Sequence, residues 1–186
     1  MADVDLTPMD PELLPPIAHA SQEGALPPEP RTFTAVRNLE DLVRPDHGLW
    51  CSPVTACSGD GAPTATAWTD WCATPDELTG LPSVHHGTYN RFTAVVPLPE
   101  ARIYLIDTES DLDRLVEAFP LPAVHRMRRS APDWEGMAGS GWGAVYVSAA
   151  GITANAGRFV LKEPSLAMWD CPSVLWIRPA YRLATA

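Results

Sequence analysis

Short runs of alternating hydrophobic and polar residues predict several β-strands separated by turns. The runs "TFTAVR" (32–37) and "GLWCSPV" (48–54) come first, and Pro53 is expected to end the second strand. The later strand candidates are "RFTAVVPL", "ARIYLID", "GAVYVS", "GRFVL" and "SVLWIRP". We expect these short strands to form mixed, mainly antiparallel sheets.

A helical period appears in only a few places. "ESDLDRLVEAF" (109–119) has Leu112, Leu115 and Val116 at helical spacing after Thr108, a good N-cap residue. "TATAWTDWC" places Trp68, Trp71 and Cys72 on one face of a short helix, and "NLEDLV" and "APDWEGMAGS" predict further short helical turns. The fold class is therefore predicted to be α+β, with short strands and a few short helices.

The first 30 residues differ from the rest. They contain seven prolines and six acidic residues without a Lys or Arg, and no period is sustained. This composition predicts a flexible acidic arm over residues 1–30, followed by one α+β domain over residues 31–186.

The net charge of −10 disfavours nonspecific binding to nucleic acid, which needs clustered basic residues. A local basic surface stays open at "HRMRRS", which contains His125, Arg126, Arg128 and Arg129. No apolar run reaches the ~20 residues that cross a bilayer, and the N-terminus lacks a signal-peptide pattern. A cytoplasmic protein with no membrane partner is expected.

The four cysteines are too few and too irregularly spaced for a disulfide framework, and no C-x-x-C pair indicates structural zinc. His85 and His86 are adjacent, and neighbours on an extended chain face opposite ways, which suits loop histidines better than joint metal ligands. We therefore expect no metal site and buried free thiols.

Motifs for nucleophilic or phosphate chemistry are weak. There is no G-x-S-x-G elbow, and Ser52 is followed by Pro53. Cys51 or Cys72 could pair with a histidine, but four cysteines and five histidines allow many such pairs. The glycine-rich "AGSGWGAV" leads into a strand, so it lacks the helix N-terminus that binds phosphate.

Seven tryptophans are the most unusual feature. They could all fill the core, or some could line a cleft that stacks on a planar ring such as nicotinamide or adenine. On a strand, Trp50 and Ser52 share one face and Cys51 faces the other way. Cys51 is accordingly predicted to be core, and Trp50 with Ser52 to face a site.

The segments "FTAVR", "GLWCSPV…TAWTDWC" and "GWGAVYVS…WDCPSVLWIRP" together resemble ADP-ribosyltransferase-like domains, including compact phage and bacterial ones. Such domains commonly carry an Arg or His in the first strand, then an aromatic second strand with a Ser or Thr and a following helix. A late strand that opens with a catalytic Glu completes the pattern. The match spans most of residues 32–182.

The resemblance implies an NAD-binding cleft and transfer of ADP-ribose to a protein or nucleic-acid target that the sequence does not identify. Arg37 would hold the phosphate or ribose of NAD, and Asp170 would stabilise the ribosyl cation in place of the missing Glu. The other NAD-contacting positions would be Trp50, Ser52, Trp68, Trp71 and Ser173. Glu135 or Glu163 could instead supply the acid. Such a protein would be a cytoplasmic effector, acting in the host cytoplasm if phage-encoded.

Two alternatives stay open at the level of sequence. The missing Glu and the acidic arm favour a noncatalytic binding or inhibitor module on the same fold, for example an anti-defence protein. A third hypothesis is a Cys or Ser hydrolase that uses Cys51 or Ser52.

Overall fold

A computed structural model describes residues 5–25, 28–39, 45–75, 80, 89–121, 131–158, 164–166 and 169–184. Several sequence predictions lie outside these ranges. They concern His85 and His86, the basic residues of "HRMRRS", Glu163, and most of "NLEDLV" and "GRFVL".

The architecture is mixed α+β, built around a mostly antiparallel sheet of eight strands. The strands are β1 Ile17–Ser21, β2 Leu49–Cys57, β3 Pro63–Thr66, β4 Arg91–Pro97, β5 Ile103–Ile106, β6 Ala144–Val147, β7 Ser173–Trp176 and β8 Tyr181–Leu183. Their order is β5-β6-β7-β2-β1-β4-β8, and β3 pairs with β2. Among the described strand pairs, β5–β6 is the only parallel one.

Four α-helices occur in the described ranges: α1 Ala67–Ala73, α2 Glu109–Ala118, α3 Trp134–Gly139 and α4 Ala149–Asn155. Thr66 and Thr108 begin α1 and α2 with capping boxes, in which side chains and first-turn backbone N–H groups satisfy each other. The predicted helix over residues 109–119 is confirmed, and it buries Leu112, Leu115 and Val116. None of the helices described is both long and apolar enough to span a membrane.

The core lies on both faces of the sheet. On one face, Val145 and Leu175 pack with Leu115 of α2 and with Met137 of α3. On the other face, Cys51 belongs to a second cluster, which also contains Ile17, Leu49, Val95, Val174, Trp176 and Tyr181. Trp50 packs against the first cluster, so the predicted alternation along β2 is confirmed.

Strand β1 lies inside the segment that the sequence places in a flexible arm. It pairs with β2 on one side and with β4 on the other, and Ile17 and Ala18 are 2% and 0% exposed. The β-strand propensity of "IAHAS" is low, because it contains two alanines and is preceded by prolines, so propensity does not predict this strand. Its stability comes from two neighbouring strands, which no local pattern reveals.

The segment "TFTAVR", expected to be the first strand, forms none. A 3₁₀ turn over Pro30–Thr32 ends at the first residue of the segment, and an isolated bridge joins Arg37, its last residue, to Asp46. Although its residues alternate, the chain places no longer strand beside it among the described residues. The second predicted strand is present, but it continues through Pro53 to Cys57.

Pro53 is tolerated because β2 changes partners near it. Leu49 to Cys51 pair with β7, Ser52 and Pro53 lie opposite β1, and Val54 to Cys57 pair with β3. A proline lacks only its backbone donor, and the pairing of this strand becomes irregular directly after it, between Val54 and Ala56. The exchange of partners at Ser52 and Pro53 shapes the site described next.

Candidate functional site

A cavity of about 240 Å³ opens where β1 and β2 stop pairing. The two strands are in register only at Ile17 with Pro53 and at Ala18 with Ser52. Beyond these pairs the cavity lies beside both strands and beside the segment that enters β7. Its lining comprises Ala18, His19, Ala20, Trp50, Cys51, Ser52, Trp68, Tyr89, Trp169, Asp170, Cys171 and Ser173.

Aromatic rings dominate this lining. Trp50 meets Trp169 edge to face, with ring centroids 4.7 Å apart. Trp169 is buried and stacks in turn on Trp134 of the core at 6.1 Å. Tyr89 contacts Trp68 edge to face at 5.7 Å. Aromatic faces held in this way favour a flat, ring-shaped ligand.

His19 contributes the imidazole of the cavity. Its Nδ1 lies 2.8 Å from the carbonyl oxygen of Trp50 and links β1 to β2 where their pairing has ended. Because a carbonyl only accepts, Nδ1 must carry the proton, which leaves Nε2 as the acceptor of the neutral ring. No described residue hydrogen-bonds to Nε2. The ring is half-buried and can present that nitrogen to a ligand.

Ser52 fixes the helix beside the cavity. Its Oγ accepts a hydrogen bond from the backbone N–H of Trp68 at 3.2 Å, and the residue is 2% exposed. The Thr66 side chain accepts from the N–H of Thr69. Two of the first-turn donors of α1 are thus satisfied by side chains from the sheet and from the cap. Ser52 therefore positions the Trp68 ring as well as lining the cavity.

The segment before β7 supplies the acid. Asp170 lines the cavity and is exposed, so its carboxylate lies at the mouth rather than at the buried end. The hydroxyl of Ser173 donates to the carbonyl of Cys171 at 2.9 Å, and this turn directs the chain into β7. A carboxylate at the mouth suits the stabilisation of positive charge on a ligand that projects out of the cavity.

The thiols near the cavity are poor nucleophiles. Burial raises the pKa of the Cys51 thiol far above its usual range, and burial also raises the pKa of Cys72. Burial likewise raises the pKa of Cys171 to about 11, although its hydrogen bond with Ser173 lowers it in part. Because the thiolate is the reactive form, these groups stay neutral and unreactive near pH 7. The prediction of buried free thiols holds for these three, whereas Cys57 is exposed.

Five of the seven residues proposed from the sequence as the site line this one cavity: Trp50, Ser52, Trp68, Asp170 and Ser173. Trp71 stacks behind Trp68 and does not line it. Arg37 is exposed on another segment, where its backbone pairs with Asp46. Glu135 accepts a hydrogen bond from the backbone of Asn38, away from the cavity lining.

Three lining residues with ring side chains, His19, Tyr89 and Trp169, are not among the site residues that the sequence predicts. His19 stands alone among prolines and acids, and no spacing signals it before β1 is recognised as a strand. Tyr89 follows a segment without regular pattern. Trp169 is one of the seven tryptophans that could line a cleft, and it flanks Asp170 in the sequence. Within the described ranges, no group of three or more His, Cys, Asp or Glu side chains is arranged to hold a metal ion.

Comparison with protein-family models, with curated proteins and with solved structures finds no match for this chain. The arrangement of the lining side chains is what indicates a function.

Proposed function

We propose that the cavity binds the nicotinamide end of NAD and that the protein is an ADP-ribosyltransferase-like enzyme of the cytoplasm, with NAD as its substrate. The observation that carries the proposal is the composition of one cavity. Aromatic rings, an imidazole, a buried serine and a carboxylate at the mouth all line it.

The size of the cavity supports a small ring rather than a whole dinucleotide. Pockets for drug-sized ligands usually measure about 300–1,000 Å³, whereas this one is about 240 Å³. A nicotinamide ring fits such a volume, and the ribose and diphosphate would then extend through the mouth. That arrangement brings the ribose to the exposed Asp170.

Recognition of the ring would combine stacking with polar contacts. Trp50 and Trp68 offer aromatic faces or edges to the ring. The carboxamide of nicotinamide both donates and accepts hydrogen bonds, and His19 Nε2 can accept from its NH₂ group. His19 would thus contact the nicotinamide end of NAD, whereas Arg37, to which the resemblance assigned the phosphate or ribose, does not line the cavity.

The chemistry is the cleavage of the bond between nicotinamide N1 and ribose C1′. The bonding electrons stay with nicotinamide, which leaves as a neutral molecule, and positive charge develops on the ribose. The Asp170 carboxylate would stabilise that charge through space. The acceptor then attacks C1′ and loses a proton to solvent. In the absence of an acceptor, water attacks and ADP-ribose is released.

The test is to incubate the protein with NAD and to measure nicotinamide release, with and without a host lysate as a source of acceptors. His19→Ala should weaken nicotinamide binding, measured by calorimetry, by about 5- to 10-fold, the value of one hydrogen bond of ~1 kcal/mol or slightly more. His47→Asn is the matched control, because His47 is an exposed histidine with a positive φ that Asn tolerates. A folded wild type that neither binds nicotinamide nor consumes NAD contradicts the proposal.

A second candidate function is a binding module that holds the same ligand without turnover. The observation that favours it is that Asp170 is the only carboxylate in the described lining, and that it is exposed. An aspartate reaches less far than a glutamate, and a misplacement of about 1 Å can cost ~100-fold in rate. Nicotinamide binding of ordinary affinity with no NAD consumption would favour this candidate over the enzyme.

A further inference from the structure

We infer that Arg102 and Arg178 form a binding site for the phosphate group of a phosphorylated side chain in a partner protein. The two guanidinium groups meet beside Gly141, at the end of β7 that lies opposite the cavity. The site is independent of the proposed function, because none of these three residues lines the cavity. It is a local positive patch on a chain whose net charge is −10.

Gly141 leaves the space beside both guanidinium groups open. A Cβ placed on this glycine would lie 3.6 Å from Nη1 of Arg178 and 3.9 Å from Nη1 of Arg102. The φ of Gly141 is +89°, and its N–H donates to the carbonyl of Ala138, so the glycine also ends α3. The helix end thus brings a residue without a side chain to the point where the two positive charges converge.

Backbone hydrogen bonds fix the three segments that carry these residues. The N–H of Gly143 donates to the carbonyl of Arg102 at 2.8 Å. The carbonyl of Gly143 accepts from the N–H of Ile177 at 2.9 Å and from the N–H of Arg178 at 3.2 Å. The start of β6 is therefore tied both to the start of β5 and to the end of β7. Because the backbones of the two arginines are held before a ligand arrives, the entropy cost of binding is lowered.

The side chain of Arg102 is held as well. Its guanidinium carbon lies 4.3 Å from the centre of the Trp142 ring, and its Nη1 donates to the carbonyl of Ser140 at 3.2 Å. Trp142 itself is buried and belongs to the core. Contact with one ring and one carbonyl leaves most of the N–H donors of this guanidinium for a ligand.

No carboxylate neutralises the two arginines within the part of the chain that the structure describes. Neither guanidinium forms an ion pair there. Both arginines are exposed, and like charges at short range repel each other. An anion that contacts both guanidinium groups removes this repulsion, and the site therefore favours an anionic ligand.

Phosphate matches the site better than a carboxylate does. A phosphorylated side chain carries a charge of about −1.5 to −2 at pH 7 and three strong acceptor oxygens. Charge-assisted bonds from arginine to phosphate measure about 2.7–2.9 Å. Different oxygens of one phosphate can therefore meet two Nη1 atoms that flank a common point at 3.6 and 3.9 Å. A carboxylate carries a single charge, and one guanidinium fork already satisfies its two oxygens.

The surroundings favour a phosphorylated protein over a free metabolite or a nucleic acid. Arg102 and Arg178 are exposed, whereas small ligands are usually enclosed over most of their surface. A nucleic acid brings many phosphates, and those beyond the site would meet a protein of net charge −10. A phosphorylated side chain brings one phosphate, and clusters of arginine are a recurring means of recognising it.

The test is an NMR titration of the full chain that follows backbone amide and arginine side-chain signals. The probe is a peptide with one phosphoserine flanked by glycines, and the references are the same peptide with serine, inorganic phosphate and a single-stranded oligonucleotide. The phosphopeptide should shift the Nε–H signals of Arg102 and Arg178 and the amide signal of Gly141. Arg178→Gln should weaken its binding by about 10-fold, the low end for a hydrogen bond to a charged group because the site is exposed.

Two further variants separate charge, geometry and general electrostatics. Arg178→Lys keeps the charge but loses the fork, so its affinity should lie between those of the wild type and Arg178→Gln. Arg114→Gln removes an exposed arginine of α2 and is the matched control, which should bind like the wild type. Equal shifts with the serine peptide, or no loss in Arg178→Gln, would overturn the inference. Tighter binding of inorganic phosphate or of the oligonucleotide than of the phosphopeptide would overturn it as well.

Discussion

The half of the sheet that the helices cover and the end that carries the cavity differ in which side chains they bury. Around α2, Ile106, Leu112 and Leu115 are 0% exposed, and the helix begins with a complete capping box. At the cavity, Ser52 and Ser173 are polar but buried, and Trp50 is only half-buried. The first region buries apolar side chains, whereas the second buries polar groups and leaves part of the tryptophan surface accessible to a ligand.

The tryptophans show the same contrast. Trp134, Trp142 and Trp176 are at most 2% exposed and belong to the core. Trp50, Trp68 and Trp71 lie around the end of the β1–β2 pairing and keep part of their surface accessible. A tryptophan is therefore informative about function here only when its place relative to that strand end is known.

The largest expected effect lies in the helix-covered half. Leu115→Ala should lower the free energy of unfolding by about 2–5 kcal/mol, because a buried leucine is replaced by a cavity. Leu13→Ala, at a residue that is 74% exposed, should change it by less than about 0.5 kcal/mol. Urea denaturation measures both variants. Similar losses in the two would contradict the assignment of the core.

At the cavity, the large effect should be on turnover instead. Asp170→Asn should reduce nicotinamide release by about 100- to 1,000-fold, as expected for removing an electrostatic stabiliser of the transition state. Its stability should stay close to that of the wild type because Asp170 is exposed. Glu100→Gln, an exposed acid in the turn between β4 and β5, is the control. Equal rates in the two variants would exclude Asp170 from the reaction.

Ser52→Ala should lower both the stability of the protein and its affinity for nicotinamide. The variant leaves the backbone N–H of Trp68 without its acceptor, and the free energy of unfolding should fall by about 0.5–1.5 kcal/mol. Nicotinamide affinity should also fall, since Trp68 loses its anchor. Ser140→Ala, at an exposed serine after α3, serves as the comparison. A Ser52→Ala variant with full stability would mean that the hydrogen bond is not formed in solution.

The smallest effects concern the thiols. At pH 8, a thiol reagent should modify Cys57 in the native protein and all four cysteines after unfolding. Burial raises the pKa of Cys171 from 9.0 to about 11, so the unfolded chain ionises first as the pH rises. Stability from this group is complete below pH 9 and is lost as the pH approaches 11. Urea denaturation at pH 8 and pH 10.5 should show a smaller loss in Cys171→Ala than in the wild type.

The sequence predicts an element correctly where the signal for that element lies within the element itself. The N-cap residue Thr108 and the spacing of Leu112 and Leu115 predict a helix over residues 109–119, and the structure contains it. The alternation of Trp50, Cys51 and Ser52 was predicted for the same reason, because strand geometry alone fixes it.

The sequence was insufficient where distant segments decide the outcome. "IAHAS" becomes a strand because β2 and β4 lie on its two sides, and "TFTAVR" does not because no strand pairs with it in the described structure. His19 lies in the cavity only because of that pairing, so a prediction that places residues 1–30 in an arm does not identify it. Helix α4, "AAGITAN", carries too few large apolar residues to show a period.

The most direct test of the central claim is a crystal structure of the protein soaked with NAD. We expect nicotinamide density in the cavity, stacked on or against Trp50 and Trp68 and within hydrogen-bond distance of His19 Nε2. Ribose C1′ should lie near the carboxylate of Asp170 at the mouth. A cavity that stays empty at saturating NAD, or NAD bound elsewhere on the chain, would contradict the proposed function.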